Sequence, residues 1–409
     1  MRAPVWLPAW RRSWFLLAGL VLAACAGERG VEAPAPGPEP EPSFNLRPVS
    51  FDQLSGWRAD DPRGALSAFR RSCAKLDKNG AATAMGANPW FGEVADWRAV
   101  CADAAAVTAG SPERARDFFE AQFSPYLVHD GNDPEGLFTG YYEPLLHGSR
   151  RFGGPYTVPL YRPPDDLVRV DLARFNPDLA GYAIYGRVRG DQFVPYYPRA
   201  DIESGALAHR GLELLWVDDP IDKFFLQIQG SGQVQLDDGS LIRVGYASQN
   251  GHPYHAIGRD LIEIGVFTRE EVSLPAIKSW LEAHPADAPY IMARNRSYIF
   301  FEERAGLAPD EGPLGAQGVS LTAGRSLAVD RRYIPLGVPV WLDATAPWPE
   351  GAGPLRRLMV AQDTGGAIKG VVRGDVFWGA GPRAEAIAGH MKSPGRYAIL
   401  LPKALVPVS

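Results

Sequence analysis

Apolar residues recur at helical spacing in the first part of the chain that has enough of them to form a core. Leu66, Phe69 and Leu76 lie on one face of a helix, and similar periodicity continues to Phe123. Ser111 followed by Pro112 is a typical helix start, because Pro suits the first helical turn and Ser caps it. The pattern therefore predicts helices between Arg63 and Phe123.

From Gly136 onwards the pattern changes to short strands separated by Gly, Pro and Asp. The pair Asp238-Gly239 between two strand-like segments predicts a hairpin. Predicted strands include Leu137–Tyr142, Phe224–Gln229, Val234–Leu236 and Leu241–Tyr246, and the segment Ser297–Pro402 is again rich in strands. Predicted helices are Tyr254–Ile264, Leu274–Ala283 with Ser273 as its cap, and a short one at Ala384–His390. The fold class is mainly β with α, of the α+β type.

The first 24 residues have the pattern of an export signal. Arginines precede an apolar segment, Ser13–Ala24, that is short for a bilayer-spanning helix. Its end, Leu22-Ala23-Ala24-Cys25, resembles the lipobox of bacterial lipoproteins, in which the Cys is lipidated and becomes the mature N terminus. Ala26 after the Cys favours the outer membrane. The alternative is an ordinary secretory signal with an incidental Cys.

Residues 25–50 are predicted to be a linker, because prolines at 34, 36, 38, 40 and 42 favour extended backbone. The remaining residues exceed one typical core, so two domains are expected. The formal charge is −5 and would become −8 after removal of residues 1–24 and their three arginines. A mildly acidic chain argues against a nucleic-acid partner.

Cys73 and Cys101 lie in two predicted helices, in a compartment that permits disulfides. Two packed helices could bring them together. A disulfide and two buried free thiols are both compatible with the sequence.

Three aspartates are the candidate catalytic groups. Asp363 and Asp375 flank a glycine-rich segment, and Asp330 precedes a predicted turn at Ile334–Gly337. Asp375 precedes Val-Phe-Trp, so apolar neighbours would raise its pKa and suit it to general acid catalysis on a glycoside. The alternative is that these aspartates cap turns, a common role for Asp.

Several long motifs resemble one enzyme family. They are Gly140–Pro144, Phe225–Gly232, Val244–His252, Asn295–Phe301, the Asp330 segment and Asp363–Gly370. The segment Gly318–Asp375 resembles the 3D domain, named for three aspartates, and the region from Gly140 to the C terminus resembles the MltA-type lytic murein transglycosylases. The spacing of the last two aspartates varies by a residue in this family, and this chain has the longer form.

The resemblance implies a double-psi β-barrel domain with a smaller inserted β-barrel domain and a deep cleft between them. The implied boundaries are 1–24 for the signal peptide, 25–50 for the lipidated Cys and linker, 51–140 with 295–409 for the barrel and its N-terminal helices, and 141–294 for the insert.

The implied reaction cleaves the β-1,4 bond between N-acetylmuramic acid and N-acetylglucosamine without water and leaves a 1,6-anhydro sugar. A single carboxyl then suffices, because the attacking C6 hydroxyl is part of the substrate. By motif position Asp375 resembles the acid, Asp363 would tune it, and Asp330 would support them.

The resemblance also implies substrate contacts, at Tyr141, Tyr142, Glu143, Gln227, Gln229, Ser231, Tyr246, Gln249, Asn250 and Lys369. Some relatives carry Thr at the position of Glu143. The implied partners are peptidoglycan glycan strands, the membrane through a lipid on Cys25, and cell-wall synthesis or divisome proteins, with no cofactor and no metal. The implied location is the periplasmic face of the outer membrane.

Two other functions fit parts of the sequence. Asp363-Thr364-Gly365 matches the core of aspartic proteases, but those need two such triplets and this chain has one. The serious alternative is a peptidoglycan-binding lipoprotein that keeps the groove without the chemistry.

Overall fold

The computed structural model describes residues 42–108, 110–179, 182–305 and 311–405. The predicted signal peptide, Cys25 and most of the predicted linker lie outside these ranges. The linker prediction ran to residue 50, whereas Phe44–Pro48 forms a strand that pairs with Tyr126–Asp130.

Nine α-helices lie within the described residues. They are α1 (Arg63–Leu76), α2 (Val94–Ala106), α3 (Pro112–Gln122), the single turn α4 (Arg199–Asp201), α5 (Pro220–Gln229), α6 (Ile257–Glu263), α7 (Leu274–Ala283), α8 (Ala288–Arg294) and α9 (Pro382–His390). The predicted caps are confirmed: the hydroxyl of Ser111 accepts the N–H of Arg114, and that of Ser273 accepts the N–H of Ala276.

Strands account for more of the described residues than the helices do. They are β1 (Phe44–Pro48), β2 (Phe123–Asp130), β3 (Gly136–Glu143), β4 (Leu145–Ser149), β5 (Val158–Tyr161), β6 (Val168–Asp171), β7 (Ala183–Arg189), β8 (Gln192–Pro195), β9 (Glu213–Val217), β10 (Ser231–Leu236), β11 (Leu241–Gln249), β12 (Ile299–Glu303), β13 (Ser326–Val329), β14 (Pro339–Trp348), β15 (Gly351–Asp363), β16 (Arg373–Ala380) and β17 (Lys392–Pro402).

The largest sheet closes on itself. Its order is β1-β2-β17-β14-β15-β13-β16-β3, and β3 also pairs with β17. Six strands therefore form a ring, β17-β14-β15-β13-β16-β3, and β1 and β2 extend it. Closure removes unpaired edges from these six strands.

Two further sheets come from the middle of the chain. One has the order β12-β11-β10-β4-β9-β5, and the other has the order β6-β7-β8. Because β12 pairs with β11, Ile299–Glu303 belongs to the middle sheet. The predicted boundary at residue 295 lies just before this strand.

The N-terminal helices pack against the barrel and share its core, which contains Phe69, Trp97 and Trp341. Cys73 of α1 and Cys101 of α2 form a disulfide with a Cα–Cα distance of 5.4 Å. The sequence was compatible with a disulfide or with two free thiols, and the structure contains the disulfide.

The prediction of a strand at Phe224–Gln229 is wrong, because this segment is most of helix α5. Asp219 caps the helix through the N–H groups of Ile221 and Asp222, and Pro220 occupies the first turn. Gly230 then ends it in the left-handed conformation at φ 83°. These local end signals outweigh the strand-like run of apolar residues.

Candidate active site

Two carboxylates and a hydroxyl lie in one row across the barrel wall. Ala328 on β13 is the pairing partner of Asp363 on β15 and of Asp375 on β16. Asp375 is in turn the partner of Thr139 on β3. Direct partners point to the same face of a sheet, and adjacent strands lie about 4.8 Å apart. Asp363 and Asp375 therefore share one face, with backbones about 10 Å apart.

Asp375 combines burial with a short hydrogen bond. The Thr139 hydroxyl donates to its Oδ1 at 2.6 Å. Burial raises the pKa of Asp375 to about 6, although Arg373 and the Thr139 hydroxyl lower it, and the charge of Asp363 raises it slightly further. A carboxyl with this pKa exchanges protons readily near neutral pH.

Asp363 is held by three donors. The Tyr141 hydroxyl donates to Oδ2 at 2.8 Å, and the N–H groups of Ala316 and Thr364 donate to Oδ1 at 2.8 and 2.9 Å. Burial nevertheless raises the pKa of Asp363 above its ordinary value, because it outweighs these hydrogen bonds. The carboxyl is thus fixed in position while its charged form is disfavoured.

The floor of this face is apolar. A buried cluster separate from the main core lies beneath the two aspartates, formed by Tyr141, Leu321, Ala328, Ile368 and Phe377. Burial and the charge of Asp363 raise the pKa of Tyr141 well above its ordinary value, so its hydroxyl keeps its proton and remains a donor.

Asp330 has a different position, directly after β13. It is buried, and its Oδ2 accepts the N–H of Gly370 at 2.9 Å and a guanidinium N–H of Arg332 at 2.6 Å. Burial alone would raise the pKa of Asp330, but the hydrogen bonds from Arg332 and the backbone outweigh burial and lower it. Asp330 therefore fastens the loop that links Asp363 to Arg373 and Asp375.

Tyr142 lies on the other face of β3, and Glu143 is the last residue of that strand. Neighbours along a strand point to opposite sides, and Tyr142 packs against α9, where its hydroxyl donates to Glu385 at 3.0 Å. Glu143 is 2% exposed and accepts from Gln233 at 2.9 Å. Both side chains make contacts within the protein, and a sugar contact at either position stays a prediction.

Gln227 and Asn250 are structural residues within the inserted region. Gln227 is buried, accepts from Arg199 and donates to the carbonyl of Ile299. Asn250 is 1% exposed and donates to the carbonyls of Tyr197 and Arg296. Their polar atoms bond to other parts of the protein, and substrate binding by either residue stays a prediction.

The other predicted contacts are more accessible. Gln229 accepts the backbone N–H of Tyr142 at 3.1 Å, which ties the end of α5 to β3. Tyr246 is 42% exposed, Ser231 and Gln249 are half-buried, and Lys369 is exposed on the loop that Asp330 fastens. These residues stay predicted contacts.

Sequence reasoning missed two residues of the site. Thr139 lies just before the recognised motif, and its role depends on a pairing with residue 375 that no local signal indicates. Tyr254 precedes α6 in the inserted region, and its Cβ lies 3.7 Å from where a Cβ on Gly366 would stand. Burial, followed by the charge of Asp375, raises the pKa of Tyr254. The insert thus supplies an aromatic residue near Asp375.

The part of the chain that the structure describes contains no group of three or more His, Cys, Asp or Glu that could hold a metal ion. None of the described helices is long and apolar enough to cross a bilayer.

Two family models match successive parts of the chain. The MltA specific insert domain matches residues 137–302, and the 3D domain matches residues 325–401. The fold and the aspartate site thus define a 3D-domain protein that carries this insert.

Comparison with whole proteins identifies the family more narrowly than the two domain matches do. The chain is 36% identical over 275 residues to membrane-bound lytic murein transglycosylase A of Vibrio cholerae, and the match covers 65% of this chain and 66%, about two thirds, of that protein. It is also similar to the crystal structure of a membrane-bound lytic murein transglycosylase from Agrobacterium tumefaciens, with a TM-score of 0.78 and 34% identity over 88% of this chain and 98% of that one. The chain belongs to the MltA family of membrane-bound lytic murein transglycosylases.

A further similar structure is that of Escherichia coli MltA with bound chitohexaose. Its TM-score is 0.59 and its identity 26%, over 88% of this chain and 92% of that one. The resemblance inferred from the motifs is confirmed, and the fold is of the MltA type with α and β elements.

Proposed function

We propose that this protein is a peptidoglycan lytic transglycosylase. It cleaves the β-1,4 bond between N-acetylmuramic acid and N-acetylglucosamine and forms 1,6-anhydro-N-acetylmuramic acid. The observation that carries the proposal is Asp375, a carboxyl with a pKa of about 6 on an apolar sheet face beside a second aspartate. The names of its relatives and the chitohexaose bound to E. coli MltA support a glycan substrate.

Asp375 acts first as an acid and then as a base. In its protonated form it gives its proton to the glycosidic oxygen as the bond from C1 to that oxygen breaks. The C6 hydroxyl oxygen of the same muramic acid then bonds to C1, and its proton returns to the Asp375 carboxylate. Protons balance, and the same side chain is ready for the next bond.

The neighbouring groups assist each half of this cycle. The charge of Asp363 and the apolar floor favour the protonated form of Asp375 before bond cleavage. The Thr139 hydroxyl stabilises the carboxylate after the proton has left. Asp330 keeps the connecting loop in place through Gly370.

The glycan would lie in a cleft between a double-psi barrel and the inserted sheets. Tyr254 beside Asp375 supports this arrangement, because it brings the insert to the acid. Exposed Tyr246 offers a flat face for a sugar ring, and Ser231, Gln249 and Lys369 offer polar groups.

The cellular setting follows from the N terminus. Lipid on Cys25 would anchor the mature chain to the periplasmic face of the outer membrane, and the linker would let the enzyme reach the wall. Cell-wall synthesis and divisome proteins are proposed partners, and nucleic acid is not.

Digestion of purified sacculi tests the proposal. The wild-type protein should release muropeptides that end in anhydro-muramic acid, whereas Asp375→Asn should bind sacculi and release nothing. Asp52→Asn is the matched control, because Asp52 forms an exposed ion pair with Arg58. Reducing ends in the products would indicate hydrolysis instead, and binding without release by the wild type would indicate a non-catalytic wall-binding protein.

A further inference from the structure

Arg373 lies two residues before Asp375 on β16, so both side chains emerge on the same face of the sheet. Its Nη2 donates to the Thr139 hydroxyl oxygen at 2.8 Å. Its Nη1 donates to the carbonyls of Leu137, at 3.2 Å, and Gly374. The guanidinium is therefore fixed by backbone and side-chain acceptors next to the acid.

These contacts give the Thr139 hydroxyl a direction. A guanidinium has donors only, so Thr139 must accept from Arg373 with a lone pair. The single hydroxyl proton of Thr139 is then free to point to Asp375, whose Oδ1 lies 2.6 Å away. Without Arg373 the hydroxyl could rotate and offer Asp375 a lone pair instead.

We propose that Arg373 is a positioning residue for the acid, which acts through the Thr139 hydroxyl and through its own fixed charge. This inference rests on the proposed function. It concerns residues outside both the aspartate set and the predicted sugar contacts.

Groups from several elements face Asp375. Asp363 approaches from β15, Tyr141 from β3 and Tyr254 from the insert, while Arg373 is on the same strand. Asp363 raises the pKa of Asp375, and Arg373 lowers it more strongly. Tyr141 and Tyr254 keep their protons and add no charge, because burial raises their pKa. The charge of Arg373 thus opposes that of Asp363.

This opposition matters for a group that must both give and regain a proton. Burial and Asp363 alone would leave a carboxyl that is readily protonated but gives up its proton poorly. Arg373 and Thr139 stabilise the carboxylate, so the proton leaves more readily in the first half of the cycle.

The pH dependence of sacculus digestion tests the inference. Activity requires protonated Asp375, so it falls as pH rises through the pKa of that group. Arg373→Met should move this alkaline limb upward by about one pH unit, because a nearby positive charge is lost. Arg58→Met is the control, since it removes an exposed arginine from a remote ion pair.

Substitutions at Thr139 provide a second test, which can be made even if Arg373→Met does not fold. Thr139→Val removes the hydroxyl and should also move the limb upward, whereas Thr139→Ser keeps the hydroxyl and should restore the wild-type profile. If Arg373→Met and Thr139→Val lowered activity equally at every pH with an unmoved limb, both residues would be merely structural and the inference would be overturned.

A direct titration separates this inference from the proposed function. Carboxyl carbon NMR of the full mature chain, with the Asp375 signal assigned by its loss in Asp375→Asn, reports the protonation of that group without substrate. An upward shift in Thr139→Val but not in Thr139→Ser supports the inference even if sacculi prove to be the wrong substrate. Identical midpoints in the three proteins would overturn it even if the enzyme digests sacculi.

Discussion

The Tyr141 hydroxyl donates a 2.8 Å hydrogen bond to Asp363, so the ring that forms part of the apolar floor also holds the second carboxyl. Its neighbour Tyr142 makes a similar bond, of 3.0 Å to Glu385, on the opposite side of the same strand. Two adjacent tyrosines thus offer a matched pair for separating site chemistry from packing.

Tyr141→Phe should therefore reduce sacculus digestion, while Tyr142→Phe should leave it close to the wild-type rate. Loss of a hydrogen bond to a buried carboxyl costs about 1–3 kcal/mol, which corresponds to a loss of rate of about fivefold to about 150-fold. Both variants keep the ring and should fold normally by circular dichroism. Equal rates for the two variants would remove the Tyr141–Asp363 contact from the mechanism.

Asp375→Asn should make the fold more stable at alkaline pH although it abolishes activity. Burial raises the pKa of Asp375 to about 6 in the folded chain, against about 3.9 in an unfolded one. Ionisation of the folded protein above this pKa therefore costs stability. Thermal melts should give the variant an advantage of about 1–3 kcal/mol at pH 8 that disappears below about pH 4. An equal or lower melting temperature at pH 8 would contradict this account.

Asp330→Asn should act in the opposite direction. The pKa of Asp330 is lowered in the folded chain, so its ion pair contributes stability at neutral pH, and that contribution is lost as pH falls through the lowered value. We expect a loss of about 1–2 kcal/mol at pH 7, kept modest because Arg332 is half exposed. Asp52→Asn, from an exposed pair, should change the unfolding free energy much less.

Reduction of the Cys73–Cys101 disulfide should lower the melting temperature. The bond spans 28 residues between α1 and α2, and a loop of this size is associated with about 3 kcal/mol of stability. Melts with and without dithiothreitol measure the effect. A Cys73→Ala/Cys101→Ala double variant should melt like the reduced protein and show no response to the reductant.

Chelators should leave digestion unchanged, because the proposed cycle moves both protons through Asp375 alone. The measurement is digestion before and after dialysis against EDTA. Loss of activity that one particular metal ion restores would require a different mechanism.

Predictions from the sequence succeed where the determining signals are local. The start of α3 and the limits of α7 are confirmed because a Ser cap and an adjacent Pro specify a helix end within a few residues. The β10–β11 hairpin is confirmed for the same reason, since Gly239 takes the positive φ that its turn needs.

Long-range packing explains what the sequence could not indicate. The sequence gives no reason to assign different roles to Tyr141 and Tyr142. Their roles differ because β3 pairs with β16 and because Tyr142 packs against α9. The sequence also shows no sign that the amide oxygen of Gln227 accepts a hydrogen bond from Arg199. The aspartates could be identified from motifs, whereas Thr139 and Arg373 required the strand register.

The barrel ring closes through β3 and β17, and Thr139 and Asp375 are 236 residues apart in sequence. A ribosome finishes the strand that carries Thr139 long before it makes the strand that carries Asp375. A chain that has not yet gained β16 therefore lacks the buried carboxyl of Asp375 and its raised pKa. Under the proposed mechanism, the protein therefore becomes active only after its last strands have been synthesised.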